Sequence, residues 1–440
     1  EINDFAVVVA RTAMWIAETG MKRETASIVH HDLDFFPLRS EAHIVEDNAL
    51  RLDWRTVCPT PDYIIGNPPF VGARWMSKAQ KEDLIGVFGT DWKNVGDLDY
   101  VSCWFKKATD MMKDTSIRSA FVSTNSITQG ESIGVLWKPL FAEGVHFDFA
   151  HLTFRWESEM AETAHVHCVI IGFSMTPNDA PPRIYIGKGD FIEVKHVNAY
   201  LIEADDVFVE SRTKPLCDVP EMGIGNKPID DGNYLFTAEE CDTFIKLEPQ
   251  AAKYFRPWYG AQEFIHNKPR YCLWLGDCSP AELRRMPHAL KRVEAVRQFR
   301  LASKSPGTQK LADRPTRFHV ENMPDSNYLL VPRVSSERRQ YVPIGYMTPD
   351  VICSDRVSLI PSATLYHFGI LTSLLHNAWM RVVCGRLKSD YLYSNTIVYN
   401  NFPWPTATDA DRAKIEATAE TILDARAKYP DSSLADLYDA

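Results

Sequence analysis

Four consecutive residues carry the most chemistry in this sequence: Asn67, Pro68, Pro69 and Phe70, within DYIIGNPPFVG (residues 62–72). The Asn67 side-chain carbonyl can accept a hydrogen bond from an amino group. The backbone carbonyl of Pro68 adds a second acceptor facing the same space. Proline rings hold both at a fixed angle. An amine that donates to both is steered toward tetrahedral geometry, which frees its lone pair for attack. Phe70 offers a flat face to a planar base, a contact worth about 1–3 kcal/mol. The substrate that suits such a turn is the exocyclic amine of a nucleobase swung out of its helix. Taken alone, Asn-Pro-Pro reads as readily as a stiff cap on a strand.

A strand must present that turn. Proline cannot donate to a sheet ladder and restricts the residue before it. Tyr63-Ile64-Ile65 therefore reads as a short buried strand that stops at Gly66. The turn then lies at the strand's carboxyl end, where open α/β sheets bind ligands. EINDFAVVVARTAMWIAETG (1–20) reads as a strand end running into a helix. Phe5, Val8, Val9, Ala13 and Met14 recur at helical spacing there, with Gly20 as the cap. AHIVEDNAL (42–50) is strand-like, GDLDYVSCWFKKATDMM an amphipathic helix, and SIRSAFVSTNSIT a strand and polar turn. ESIGVLWKPLFAEG reads as a helix closed by Gly144. VHFDFAHLTFRW and AHVHCVIIGFS read as an antiparallel pair. Strands alternating with helices predict an α/β doubly wound sheet, to which the closing hairpin adds an antiparallel edge.

TPNDAPP (176–182) marks a boundary, beyond which short β-like runs, prolines and aromatics dominate. SLLHNAWMRVVCG interrupts them as a helix, and DADRAKIEATAETILDARAKY closes the chain as another. NNFPWPTA echoes the Asn-Pro-Pro turn in the wrong order and reads as a packed linker onto that last helix.

The chain has 440 residues, 45% apolar and 24% charged, enough for two or three domains. It has no run of 18 apolar residues, so no membrane partner is expected. Nine cysteines without a CxxC pair suit reduced thiols in a cytoplasmic protein and speak against zinc or a disulfide framework. No metal ligand set is expected. Net charge is −10, but residues 251–400 hold 21 Lys/Arg against 11 Asp/Glu. A basic third on an acidic body suits a domain that grips a polyanion.

Asn-Pro-Pro-[Phe/Tyr] after a strand resembles the catalytic motif of S-adenosylmethionine-dependent methyltransferases that act on adenine in DNA. Other stretches resemble that group in order. EIND is similar to the end of its second strand, which implies that Glu1 takes the ribose hydroxyls of the cofactor and Ile2 packs on its adenine. IVEDNAL resembles the third-strand motif, which implies that Asp47, with Asn48 beside it, receives the cofactor's adenine amine. HLTFRWESEMAETAHVHCVIIGF is similar to the late hairpin motif, where Phe154 or Trp156 would close over the flipped base. YCLWL, YLLVPRVSSERRQYVPIGYM and VCGRLKSDYLYSNTIVYNNFPWP resemble the target-recognition part of MmeI-like (type IIL) restriction-modification proteins.

The resemblance spans nearly the whole chain. It implies a class I methyltransferase sheet over 1–180, incomplete at its amino end, and a connecting segment over 181–250. A mixed α+β recognition domain over 251–405 and a C-terminal helix over 406–440 follow. The expected partner is double-stranded DNA. The family's glycine-rich first cofactor motif and a nuclease domain belong upstream of EIND and are not in this sequence. The expectation is therefore a fragment or truncated chain that binds S-adenosylmethionine weakly or not at all.

Arg284 to Arg317 holds ten Lys/Arg against Glu294 and Asp313. Arg297 and Arg300 sit three apart on a predicted helix, which Lys304 extends if it continues, a spacing suited to phosphate contact. Base reading needs forked or paired groups. RVSSERRQY and CSDRVSL supply Glu337, Arg338, Arg339, Asp355 and Arg356 for it. Arg386 and Lys388, with Tyr391 and Tyr393, could clamp backbone instead. Asp179 and Glu193-Val194-Lys195 spell a loose metal-dependent nuclease pattern, better explained as a strand with charged outward positions. The rival functions are an amino-methyltransferase acting on RNA or protein glutamine and a non-catalytic DNA-specificity fragment. Cytosine methylation at the 4-amino group is chemically close, but its usual turn begins with Ser.

Overall fold

The structure, a computed structural model, describes residues 1–30, 43–156, 166–187 and 189–439. It divides into two units, Glu1–Phe208 and Val209–Ala440.

The first unit runs α1 (Asp4–Val29), β1 (Tyr63–Gly66), α2 (Lys78–Phe88), α3 (Ser102–Met112), β2 (Arg118–Thr124) and α4 (Lys138–Ala142). It continues through β3 (His146–Trp156), β4 (Val166–Ser174), β5 (Arg183–Tyr185) and β6 (Phe191–Glu193). The strands form one sheet in the order β1-β2-β4-β3-β5-β6. β1 and β2 are parallel, with Gly66 opposite Phe121. β4 is antiparallel to both β2 and β3, so the reversed strand lies inside the sheet. The sequence placed it at an edge; the parallel β3–β5 pair and the β6 hairpin extend the sheet past it.

Aromatic rings fill the core beneath this sheet. Phe105 stacks on Phe173 at 5.3 Å, and Trp137 meets Phe147 edge-on at 4.7 Å. Such pairs add about 0.5–1.5 kcal/mol each beyond their buried area. α3 delivers Cys103, Phe105, Ala108 and Met112 to this core from its buried face.

Three local expectations fail. Residues 1–3 form no strand: Asn3 caps α1 by accepting from the Ala6 N–H, and the helix passes Gly20 to end at His30, φ 52°. One interior glycine costs about 1 kcal/mol relative to alanine, too little to stop a helix of this length. Residues 43–50 form no strand, although Asp47 donates its backbone N–H to the Glu1 carbonyl at 2.8 Å. β1 exists where expected, yet Tyr63 is 70% exposed and Ile65 77%. β1 pairs with β2 alone among the described strands, which leaves its other edge without a ladder partner there. Residues 183–208 add two strands to the first unit instead of linking it to the second.

In the second unit, short strands make small sheets. Tyr328–Pro332 lies between Gly345–Met347 and Val357–Pro361, and Phe255–Tyr259 pairs with Arg270–Leu273. Helices Pro287–Leu301, Leu374–Val383 and Asp409–Ala427 match their sequence signals. Phe402 and Trp404 of the linker are buried, 2% and 9% exposed. A last short helix, Leu434–Tyr438, follows. No helix among the described residues is long and apolar enough to cross a membrane.

Candidate active site

The Asn67–Phe70 turn leaves β1 at the sheet's carboxyl edge. Asn67 and Pro69 are exposed, Pro68 is buried, and Phe70 is half-buried against the core. The ring of Pro68 thus seats the turn while the Asn67 amide stays open to solvent. Beyond the turn, the Val71 N–H donates to Asp99 Oδ1 at 3.2 Å, and the Val71 carbonyl accepts from the Tyr100 N–H at 3.0 Å. Asp99 Oδ1 also accepts the Val101 N–H, and its Oδ2 accepts the Thr124 hydroxyl, each at 3.2 Å. Burial pushes the Asp99 carboxyl upward, against hydrogen bonds from Val101, Val71 and Thr124 that favour its charge. The sequence did not single out Asp99. An acidic residue just ahead of a helix reads as an N-terminal cap, which hid it.

Phe154 and Trp156 end β3, which runs parallel to β1 and β2 through the reversed β4. Thr124 and Phe154 both stand opposite Cys168, so this end of β3 shares the sheet edge that carries Asn67. A register shift between His151 and Phe154 re-aims the strand there. Phe154 is half-buried and packs 4.9 Å from His151, while Trp156 is 42% exposed. The rest of the late hairpin motif, 157–165, lies outside the described residues.

Glu1 and Asp47 line one cleft of about 450 Å³, walled by Ile44, Val45, Trp54 and Ile64. The Asn67–Phe70 turn does not line it. Two carboxylates beside apolar walls suit a nucleoside, with acceptors for its hydroxyl and amino groups and a dry face for its base. Ile2 is 70% exposed and does not line the cleft. Asn48 is corrected to a structural role: its amide donates to Asp83 at 3.0 Å and its carbonyl accepts the Leu50 N–H at 2.9 Å.

Residues 1–186 match the family described as MmeI, DNA-methyltransferase domain, 203–406 the MmeI target recognition domain, and 407–440 the MmeI C-terminal domain. The chain belongs to the MmeI family. It superposes with a TM-score of 0.94 and 43% identity on a type IIL restriction-modification enzyme, MmeI, solved in complex with DNA. That match covers all of this chain and 59% of the other. A protein of Bacillus subtilis (strain 168), "DNA methyltransferase A", is 37% identical over 443 residues. The chain spans about half the length of that curated relative.

The MmeI target-recognition region holds most of the DNA-facing candidates, and the structure separates them. Arg300 is corrected: it is fully buried in the helix Pro287–Leu301. Its guanidinium donates to the carbonyls of Pro228, Ile229, Leu311, Arg314 and Arg317, at 2.8–3.0 Å. All five of its N–H groups are thereby used, and none can reach a phosphate. Arg297 stays exposed on the same helix, with Glu294 3.8 Å away. Lys304 is exposed but lies past the helix end at Leu301.

Arg339 is likewise corrected. It is 10% exposed at its side chain and grips Asp439 with two nitrogens. Glu337, Arg338 and Arg356 are exposed. Asp355 is half-buried with Lys227 3.9 Å away. Arg386 lies over the Tyr391 ring at 4.0 Å and donates to the Ser389 carbonyl, beside exposed Lys388. Tyr393 is buried, with its hydroxyl 2.8 Å from His376 Nε2. In the nuclease-like stretch, Glu193 pairs with Arg183 across β5 and β6 at 2.9 Å. Among the described residues no three His, Cys, Asp or Glu side chains cluster to hold a metal.

Proposed function

We propose that this chain is the catalytic and recognition portion of a restriction-modification protein that methylates the 6-amino group of adenine in double-stranded DNA, using S-adenosylmethionine. The observation that carries it is the Asn67–Phe70 turn, with an open amide, a buried proline and a half-exposed ring at the carboxyl edge of the sheet. Family membership supports it, since MmeI methyltransferase and target-recognition regions lie together in one chain.

Glu1 and Asp47 would hold the cofactor in the cleft they share, through its ribose hydroxyls and adenine amine. Bound there, the cofactor supplies an electrophilic methyl group. Asn67 Oδ1 and the Pro68 carbonyl would each accept a hydrogen bond from the adenine amine and turn its lone pair toward attack; the methylated amine then sheds one of its two protons. Phe70 and, from β3, Phe154 or Trp156 stack on the extruded ring, offsetting an unpairing cost of a few kcal/mol. Exposed Arg297, Arg338, Arg356, Lys304, Lys388 and Glu337 would contact the duplex from the second unit.

Transfer of tritiated methyl to duplex DNA, beside a gel shift on the same DNA, tests this. Methyl transfer to adenine, lost in Asn67→Ala while the shift persists, is the expected result. A shift without transfer in the wild-type protein would instead support a specificity module.

A further inference from the structure

Asp99 belongs to none of the motifs that mark the site, yet its carboxylate holds the carboxyl end of the Asn67–Phe70 turn, beside the Tyr100 N–H that bonds the Val71 carbonyl. The amino end is fixed by β1 pairing, through Gly66 opposite Phe121 of β2. The carboxyl end has no strand to hold it. There the Phe70–Val71 peptide N–H donates to Asp99 Oδ1, and Asp99 Oδ2 accepts Thr124, three residues beyond Phe121 on the same strand β2. Strand β2 therefore anchors both ends of the turn, one through backbone pairing and one through Asp99. Between these posts lie only Asn67, two prolines with locked φ, and Phe70.

We infer that Asp99 is a positioning residue for methyl transfer, setting the angle of Asn67 and Phe70 to the target amine through the Val71 N–H. This rests on the methyltransferase function proposed above. Asp99 acts as a hydrogen-bond acceptor held by Thr124, whose hydroxyl also lies 2.7 Å from Ser126 Oγ. An uncharged amide can replace it: an Asn carbonyl accepts from Val71 and Val101, and its amide donates to Thr124, which donates onward to Ser126. A methyl group cannot, and it leaves the Val71 N–H without a partner.

The experiment measures steady-state methyl transfer to duplex DNA by the intact protein and its Asp99→Ala and Asp99→Asn variants. Expected is a loss of about 100-fold in kcat for Asp99→Ala, the scale of a catalytic group misplaced by about 1 Å. KM for S-adenosylmethionine should not change, and Asp99→Asn should restore most of the loss. Wild-type kcat in Asp99→Ala, a loss confined to KM, or an Asn variant as slow as the Ala variant overturns the inference. A wild-type protein that methylates no adenine overturns the underlying function, and this inference with it. If Asp99→Ala does not fold, Thr124→Val removes the Oδ2 bond together with the Ser126 contact, leaves the Val71 and Val101 bonds to Oδ1 in place, and should lower kcat by about tenfold, the scale of one or two hydrogen bonds. Unchanged kcat in that variant overturns the inference equally.

Discussion

The side-chain amide of Asn48 donates to Asp83 at 3.0 Å. The Tyr100 hydroxyl donates to the same carboxylate oxygen at 2.9 Å, and Arg51 Nε to the other at 2.6 Å. Asp83 thereby joins the segment after Asp47 to the residue next to Asp99, so the cleft side and the turn side of the site share one buried anchor. Burial pushes the Asp83 carboxyl upward, but the bonds from Arg51, Asn48 and Tyr100 outweigh it and hold it below the usual carboxylate range. A depressed folded value makes this stabilisation present above the unfolded carboxylate range and lost as pH falls through the folded one. Asp83→Ala should destabilise the protein by about 2–3 kcal/mol, read by urea denaturation, because it strands two partly buried donors.

Asn67→Ala should lower kcat for methyl transfer by about 100- to 1,000-fold, the scale of removing one preorganised polar group from a transition state. DNA affinity should hold in a gel shift, because in the proposed mechanism the amide would grip only the extruded base. Equal losses in both measurements would place Asn67 in general DNA binding instead.

Arg300→Met should cost about 3 kcal/mol of stability or more, because it strands five buried carbonyl acceptors at once. The five carbonyls that share its guanidinium come from two stretches, 228–229 and 311–317, so losing it frees both from the helix. Chemical denaturation checks this. Any loss of DNA affinity should track unfolding and carry no change in salt dependence.

Arg297→Ala, on the same helix, should do the reverse. Its exposed guanidinium adds one phosphate contact, so the slope of log affinity against log salt should shrink by about 1, equally for every DNA sequence. Fluorescence anisotropy at several salt concentrations measures it. Relaxed preference at a single base pair would make Arg297 a base reader.

His376 should set an acid limit on the second unit. Burial pushes its imidazole down to about 3, with Nε2 2.8 Å from the Tyr393 hydroxyl. The folded protein keeps it neutral, while the unfolded chain takes a proton near its ordinary value of about 6.5. Stability from this residue is thus full above pH ~6.5 and falls toward pH ~3, by up to about 1.4 kcal/mol per pH unit. His376→Gln should flatten the decline of Tm with pH over that window. An unchanged slope would assign the decline to other groups.

Chemistry carried by covalently rigid neighbours was readable along the chain. Asn67, Pro68, Pro69 and Phe70 are contiguous, proline fixes their backbone, and the apolar run before them ends where β1 ends. Amphipathic periodicity likewise announced the helices at 102–112, 374–383 and 409–427, since a helix is a local structure. What a side chain faces is not local. Arg297 and Arg300 look alike in sequence, yet carbonyls of residues 228–229 and 311–317 converge on one and the other is exposed. The interior place of β4, the exposure of Tyr63 and Ile65 on β1 and the hold of Asp99 on Val71 across 28 residues come from strand order and packing. Residue type and spacing settled which chemistry this chain can offer; only the folded backbone decided which groups remain free to perform it.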